Sequence, residues 1–156
     1  MIIRKIKINN LINDKRNLKI LMYIKPVLGE DEYFSNGDIY VEKKDNYIKI
    51  NNVFKDSNFK EKEVYITSDL NINSYTGNKD VFFGNGDLLK PDAIITRLDN
   101  RNGLNNNSAV ALEFVLKLNG LECREFYIEL GVSKLNEVIE NKKVSDIENK
   151  LEDTKQ

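Results

Sequence analysis

Histidine and tryptophan are absent from this chain, and cysteine is nearly so. Its 156 residues include no His, no Trp and one Cys. Without His, the chain can form neither a Ser-His-Asp triad, nor a Cys-His dyad, nor a His-ligated zinc site. A single thiol, Cys123, excludes an internal disulfide and a four-thiolate metal site, and it has no His to act as its base. We therefore expect no metal site and a half-buried, structural Cys123.

An excess of charge of either sign is also lacking. The 24 basic and 25 acidic residues leave a net charge of −1, which predicts no basic surface for nucleic acid or for an anionic membrane. There is no apolar run of about 18 residues that would span a membrane. The N-terminus, Met1–Ile8, alternates apolar and charged residues and lacks the apolar core of a signal peptide. These absences predict a cytoplasmic protein of single-domain size, with neither nucleic acid nor membrane as a partner.

Most of the first 130 residues alternate in hydrophobicity with the period of a β-strand. The run Leu18–Leu28 carries apolar residues on both faces, which predicts a strand covered on both sides. The other predicted strands include Arg4–Asn9, Ile39–Val41, Tyr47–Ile50, Val64–Thr67, Ile72–Tyr75, Val81–Phe83, Ala109–Leu118 and Cys123–Leu130. Many strands followed by helices only at the end predict an all-β sandwich.

The last residues change to helical spacing. Their apolar residues are Leu135, Val138, Ile139, Ile147 and Leu151. This spacing predicts one helix over about 134–141 and a second over about 146–153, with Ser145 and Glu148 as a capping box. We expect a sandwich domain over residues 1–132, whole or in part, and a helical linker segment over residues 133–156.

Residues 84–107 interrupt the strand pattern, and a loop of this length in a compact domain is uncommon unless it has a function. Phe83 lies just before this loop and offers an aromatic ring. Asn85 and Asp87 lie within it and have side chains suited to binding sugar hydroxyls. Farther along, Arg97 and Arg101 offer planar, bidentate hydrogen bonding. The alternative is purely structural: a strand that ends in a glycine turn, and an Arg97 that pairs with Asp92 or Asp99.

The order of these features resembles a known family. Arg4–Asn10 and Leu18–Leu28 resemble a strand pair R-x-I-x-[IV]-x-N … R-x-L-x-[VI]-x-[ST]-Y-x-E-x-V-L. Phe82–Ile94 resembles F-[IL]-G-x-x-[GR]-[SD]-x-x-x-P-x-A-[LV], and Phe126–Gly131 is similar to F-x-[LF]-x-x-L-G. These motifs are those of the N-terminal β-sandwich of family 94 glycoside phosphorylases. That family includes cellobiose and chitobiose phosphorylases and the phosphorylase-like part of cyclic β-1,2-glucan synthases.

The resemblance implies a β-supersandwich of the galactose-mutarotase-like kind. In that family the catalytic Asp and the phosphate-binding residues belong to a C-terminal (α/α) barrel, so the resemblance implies no catalytic residue and no cofactor here. We expect a non-catalytic carbohydrate-binding or scaffolding domain that contacts a β-glucan or an oligosaccharide. The tentative carbohydrate ligands are Phe83, Asn85, Asp87, Arg97 and Arg101. The alternative is a purely structural or oligomerisation module that docks a catalytic barrel or a second copy.

Overall fold

A computed structural model describes residues 1–26, 28, 39–45, 47–52, 61–104, 108–135 and 137. Lys79–Phe83 forms a short helix, α1, and Asp92–Ile94 forms one turn of 3-10 helix. The strands described are β1 (Ile2–Asn9), β2 (Arg16–Ile24), β3 (Ile39–Lys44), β4 (Tyr47–Asn52), β5 (Lys62–Ser68), β6 (Ser74–Asn78), β7 (Gly103–Leu104), β8 (Ser108–Leu118) and β9 (Cys123–Lys134).

These strands form two antiparallel sheets. The large sheet has the order β1-β9-β5-β4-β3-β7, and the small sheet has the order β2-β8-β6. All strand pairs are antiparallel. The all-β sandwich predicted from the alternating pattern is therefore confirmed.

The core lies between the two sheets. On β8, every second residue from Val110 to Leu118 is buried, as the alternating sequence predicts. The rings of Phe114 on β8 and Phe126 on β9 lie 5.9 Å apart between their centroids. These two rings therefore join the middle strand of the small sheet to a middle strand of the large one.

Strand β2 packs on both faces, as its sequence predicts, but it ends at Ile24 and its apolar side chains are only partly buried. Ile20, Met22 and Ile24 pack against the core between the sheets. Leu21 and Tyr23 point the other way and pack against a second apolar cluster, on the outer face of the small sheet. A third layer, formed by α1 and the loop that follows it, supplies that cluster.

The prediction of a strand over Val81–Phe83 is wrong, because these residues belong to helix α1. The side chain of Asn78 accepts a hydrogen bond from the Asp80 backbone N–H at 2.9 Å and caps the first turn. Gly84, with φ of +57°, ends the helix in a conformation that favours glycine. Local capping therefore overrides the β propensity of Val and Phe in this segment.

The outward face of the large sheet buries polar side chains. Lys49 on β4 and Glu63 on β5 form an ion pair with 2.7 Å between Nζ and Oε2, and the Glu63 side chain is 0% exposed. The Tyr65 hydroxyl donates to Glu129 Oε1 at 2.6 Å, and both residues are buried. Such a face is predicted to be solvated in a half-exposed sheet, so its burial is a finding that the alternation of the sequence does not reveal.

Asn10 ties the two turns that carry the chain between the sheets. Its Nδ2 donates to the backbone oxygen of Asp14 in the β1–β2 turn at 2.7 Å, and to that of Asn119 in the β8–β9 turn at 2.7 Å. Beyond these turns, Cys123 is exposed, so the prediction of a half-buried thiol is wrong. The reason is that it pairs with Asn9 on one side, whereas β5 begins to pair with β9 only at Ile128.

Several predictions concern residues outside those described. The two terminal helices fall there almost entirely, since Lys134 still belongs to β9 and beyond it the described residues are Leu135 and Glu137. The boundary between residues 132 and 133 stays a prediction. The helices described include none that is long and apolar enough to cross a membrane.

Candidate functional site

The candidate site is the loop of residues 84–102, which connects α1 to β7 and is called the 84–102 loop below. Its inner side completes the cluster on the outer face of the small sheet, where Ala93 and Leu98 are buried against Phe82 and Ala111. The loop is therefore held by an apolar layer of its own and covers the sheet.

Phe83, predicted to contact a sugar, belongs largely to this inner layer. Its ring lies 5.0 Å from that of Tyr23 and 5.0 Å from that of Phe82, both in edge-to-face geometry. Tyr23 and Phe82 are stacked at 4.8 Å. Burial first, and then the negative charge of Asp80, raises the pKa of the Tyr23 hydroxyl. Three mutually packed rings favour a structural role for most of the Phe83 surface.

Asp92 organises the first half of the loop. Its Oδ2 accepts a hydrogen bond from the Asn85 backbone N–H at 2.9 Å. A Cβ at Gly84 would lie 2.1 Å from this oxygen, so only glycine fits there. The backbone oxygen of Asp92 accepts from the N–H of Ile95 at 3.0 Å and from both the N–H and the hydroxyl of Thr96 at 2.9 Å.

Asp87 closes a second turn within the loop. Its Oδ1 accepts from the backbone N–H groups of Leu89 at 2.8 Å and Lys90 at 2.9 Å. A carboxylate that caps its own turn in this way has one oxygen occupied by the backbone. Asp87 is nevertheless exposed, as is Asn85, so both carry polar atoms at the surface.

Two arginines lie on the exposed second half of the loop. No ion pair joins Arg97 to Asp92 or Asp99 in the part of the chain that the structure describes, so the predicted structural pairing is not formed. The Asp92 carboxylate instead accepts a hydrogen bond from the Asn85 backbone N–H. The Asp99 carboxylate accepts one from the Arg101 backbone N–H at 3.2 Å. Both Arg97 and Arg101 are exposed.

The end of the loop is fixed to β6. Asn100, with φ of +57°, donates its backbone N–H to the Tyr75 oxygen at 2.8 Å and accepts the Tyr75 N–H through its side chain at 3.1 Å. The Tyr75 hydroxyl donates to Asn102 Oδ1 at 2.8 Å. Gly77 and Gly103 then meet backbone to backbone, since a Cβ on Gly103 would lie 1.9 Å from the Gly77 oxygen.

Four exposed aliphatic side chains form a feature that the sequence reasoning missed. We call them the apolar platform: Leu88, Leu89, Ile94 and Ile95, with 70%, 91%, 50% and 86% of their surfaces exposed. They are two doublets, one beside each of the turns built on Asp87 and Asp92. The sequence signal for this surface is the presence of two aliphatic doublets in a loop that also contains turn-forming aspartates. Large exposed apolar patches mark interaction surfaces, and the four exposed side chains between Leu88 and Ile95 make this segment of the loop a candidate for one.

One buried charge lies beneath the loop. Glu113, on β8, accepts from Asn73 Nδ2 at 2.6 Å and pairs with the Lys19 ammonium at 3.1 Å. Burial acts to raise the pKa of Glu113, but the hydrogen bonds from Lys19 and Asn73 outweigh it, so the pKa lies below its usual value. Glu113 therefore stabilises the fold above the ordinary glutamate pKa, and this contribution is lost as the pH falls toward the lowered value.

The carboxylates in and beneath the loop already hold polar partners within the fold. The carboxylates of the loop are bonded to backbone N–H groups, and the buried carboxylates Glu63, Glu113 and Glu129 each contact a partner side chain. Among the residues that the structure describes, no group of three His, Cys, Asp or Glu side chains is placed to hold a metal ion.

Comparison with known proteins agrees with this geometry. The family model described as "Glycosyl hydrolase 94, supersandwich domain" matches residues 1–154. The match is to a supersandwich domain and not to the catalytic domain of that family. A search of curated proteins gave no match to the chain. Because the matched range covers almost all of its 156 residues, this chain belongs to the glycosyl hydrolase 94 supersandwich domain family.

Proposed function

We propose that this chain is a non-catalytic scaffolding domain of a phosphorylase-like or cyclic β-1,2-glucan synthase-like enzyme. Its 84–102 loop docks the catalytic (α/α) barrel. The observation that carries the proposal is the apolar platform, whose most exposed members, Leu89 and Ile95, are 91% and 86% exposed. Burying one such side chain completely contributes about 1.5–3 kcal/mol.

The backbone of the platform supports the same function. Leu89 follows a turn closed by Asp87, and Ile95 donates its own N–H to Asp92. The loop is therefore ordered before a partner binds, and binding a pre-ordered loop avoids most of the entropy cost of immobilising it.

We expect Leu89→Ser to weaken binding to a family 94 barrel domain from the same genome, produced as a separate polypeptide, by at least about tenfold. The matched control is Leu11→Ser, because Leu11 is 85% exposed in the β1–β2 turn. Isothermal titration calorimetry measures both, and sedimentation velocity of each variant detects self-association. Equal affinities for the two variants would contradict docking through the platform. A dimer that Leu89→Ser dissociates would instead identify a second copy as the partner.

A second candidate function is carbohydrate contact at the polar residues of the same loop. The specific observation is that Arg97 and Arg101 are exposed and that Arg97 pairs with neither nearby aspartate. Asn85 and Asp87 are exposed in the first half of the same loop, and the part of Phe83 that remains accessible offers a limited apolar surface. Arginine and amide groups match vicinal hydroxyls through planar hydrogen bonds.

Titration with cellobiose, N,N′-diacetylchitobiose and β-1,2-glucan at millimolar concentration tests this second function. If sugar binds the loop, amide resonances of Asn85, Arg97 and Arg101 move in nitrogen-15 NMR spectra, and Arg97→Gln reduces the shifts several-fold. Arg16→Gln, at an exposed position in β2, is the control and leaves them unchanged. If no loop resonance shifts with any of the three sugars, the loop is excluded as a carbohydrate site.

A further inference from the structure

We propose that Lys19, on β2, is the positioning residue of the apolar platform. It holds the platform by bonding at once to the small sheet and to the 84–102 loop. The Lys19 ammonium lies 3.1 Å from Glu113 Oε2 and also donates to the backbone oxygen of Thr96. The inference rests on the proposed function of the platform, but what it predicts is that Lys19 fixes the position of the 84–102 loop.

The sheet side of this link is rigid. Glu113 is 4% exposed and lies on β8, the middle strand of the small sheet. Its Oε1 accepts from Asn73 Nδ2 at 2.6 Å, and its backbone oxygen accepts from Asn73 N–H at 2.8 Å. The carboxylate therefore has a fixed place from which to orient the ammonium of Lys19.

The loop side leads directly to the platform. Thr96 donates its N–H and its hydroxyl to the Asp92 oxygen, both at 2.9 Å. Ile94 and Ile95 lie between these two residues. Asp92 in turn accepts from Asn85 through its carboxylate at 2.9 Å. An unbroken series of polar contacts therefore runs from Glu113 through Lys19, Thr96 and Asp92 to Asn85, across the segment that presents Ile94 and Ile95.

The charge of Lys19 lies at the edge of an apolar cluster, with its side chain 29% exposed. Leu21 and Tyr23 follow on the same face of β2 and pack against the apolar cluster. A methionine at position 19 would fill similar space, yet it could not donate to the Thr96 oxygen. Hydrogen bonds from charged donors are the stronger class, so the lysine supplies a directional bond that packing alone does not.

Hydrogen exchange of the whole chain, followed by NMR, tests the proposal. In Lys19→Met, the amides of Ile95, Thr96 and Asn85 should exchange at least about tenfold faster than in the wild type. The amide of Leu121, which donates to the Ile12 oxygen at 2.9 Å in another turn, serves as the internal control. Lys19→Arg should restore the protection, because a guanidinium keeps the positive charge and has donors for more than one acceptor.

A second variant separates positioning from charge compensation. Lys19→Met alone leaves the buried Glu113 carboxylate without its ion pair, whereas Lys19→Met with Glu113→Gln removes that charge. The proposal expects the loop amides to stay fast in the double variant. It is overturned if the double variant recovers wild-type protection, or if the single variant never loses it. Hydrogen exchange is measured without a barrel domain present. Its result therefore stays distinguishable from the effect of Leu89→Ser on barrel docking.

Discussion

Replacing Lys49 by Met is expected to lower the free energy of unfolding by about 3–5 kcal/mol, the usual cost of removing one partner from a buried ion pair. Glu63 is 0% exposed, and its Oε2 lies 2.7 Å from the Lys49 ammonium. The variant leaves this carboxylate charge inside the protein without the Lys49 ammonium. Urea denaturation followed by circular dichroism measures the change.

Two further variants identify the cause. Glu63→Gln added to Lys49→Met removes the buried charge, so the double variant should regain a large part of the lost stability. Lys44→Met removes a lysine from an ion pair at the surface, where Lys44 is 49% exposed and lies 3.1 Å from Glu42. Exposed pairs contribute little, so no measurable loss is expected there. Equal losses from Lys44→Met and Lys49→Met would contradict the assigned role of burial.

Replacing Gly103 by Ala is expected to destabilise the fold by about 1–3 kcal/mol, the range for forcing an extra carbon into a packed site. The new Cβ would lie 1.9 Å from the Gly77 oxygen and 2.4 Å from its carbonyl carbon. Both obstacles are backbone, so the strand β7 must move away from β6. Thermal unfolding gives the loss, and the amide shift of Gly77, which donates to the Arg101 oxygen at 2.9 Å, reports the movement.

Gly131→Ala is the matched control for this effect. There the new Cβ would meet the far end of the Tyr65 ring, at 2.3 Å from Cζ, and no backbone atom is among the nearest neighbours. That ring is buried and its hydroxyl donates to Glu129 at 2.6 Å, so Gly131→Ala should also destabilise the fold but leave the amide shift of Gly77 unchanged. A shift of the Gly77 amide as large in Gly131→Ala as in Gly103→Ala would contradict its assignment to the backbone contact between β6 and β7.

The strands and the core could be predicted because their signal is local. In β8 the side chains from Val110 to Leu118 alternate in sequence as they alternate in space. In β2 the apolar residues on both faces predicted a strand covered on both sides, and Leu21 and Tyr23 pack against the outer cluster. Burial of Lys49 and Glu63 was not predictable, since their alternation with Ile48 and Val64 is that of a solvated face.

The site residues stay a prediction, whereas the fold is confirmed. The sequence analysis assigned Phe83 to a ligand and did not predict that its ring packs on Tyr23 and Phe82. That packing depends on a helix, and the cap at Asn78 that starts the helix is a single side chain among strand-forming residues. The platform was not predicted because an apolar doublet such as Leu88-Leu89 usually indicates core residues, and the sequence does not show that both are exposed.

The place of β8 and β9 in the two sheets has a consequence for how the chain folds as it is synthesised. β8 lies between β2 and β6, and β9 lies between β1 and β5. The N-terminal strands β1 and β2 therefore have no sheet partner, within the strands described, until the ribosome has made residues 108–134. Pairings this distant in sequence form slowly. The apolar strands made first must wait for the last ones. A stop codon before β8 therefore removes the strands that join β2 to β6 and β1 to β5, and one between β8 and β9 still separates β1 from the rest of the large sheet.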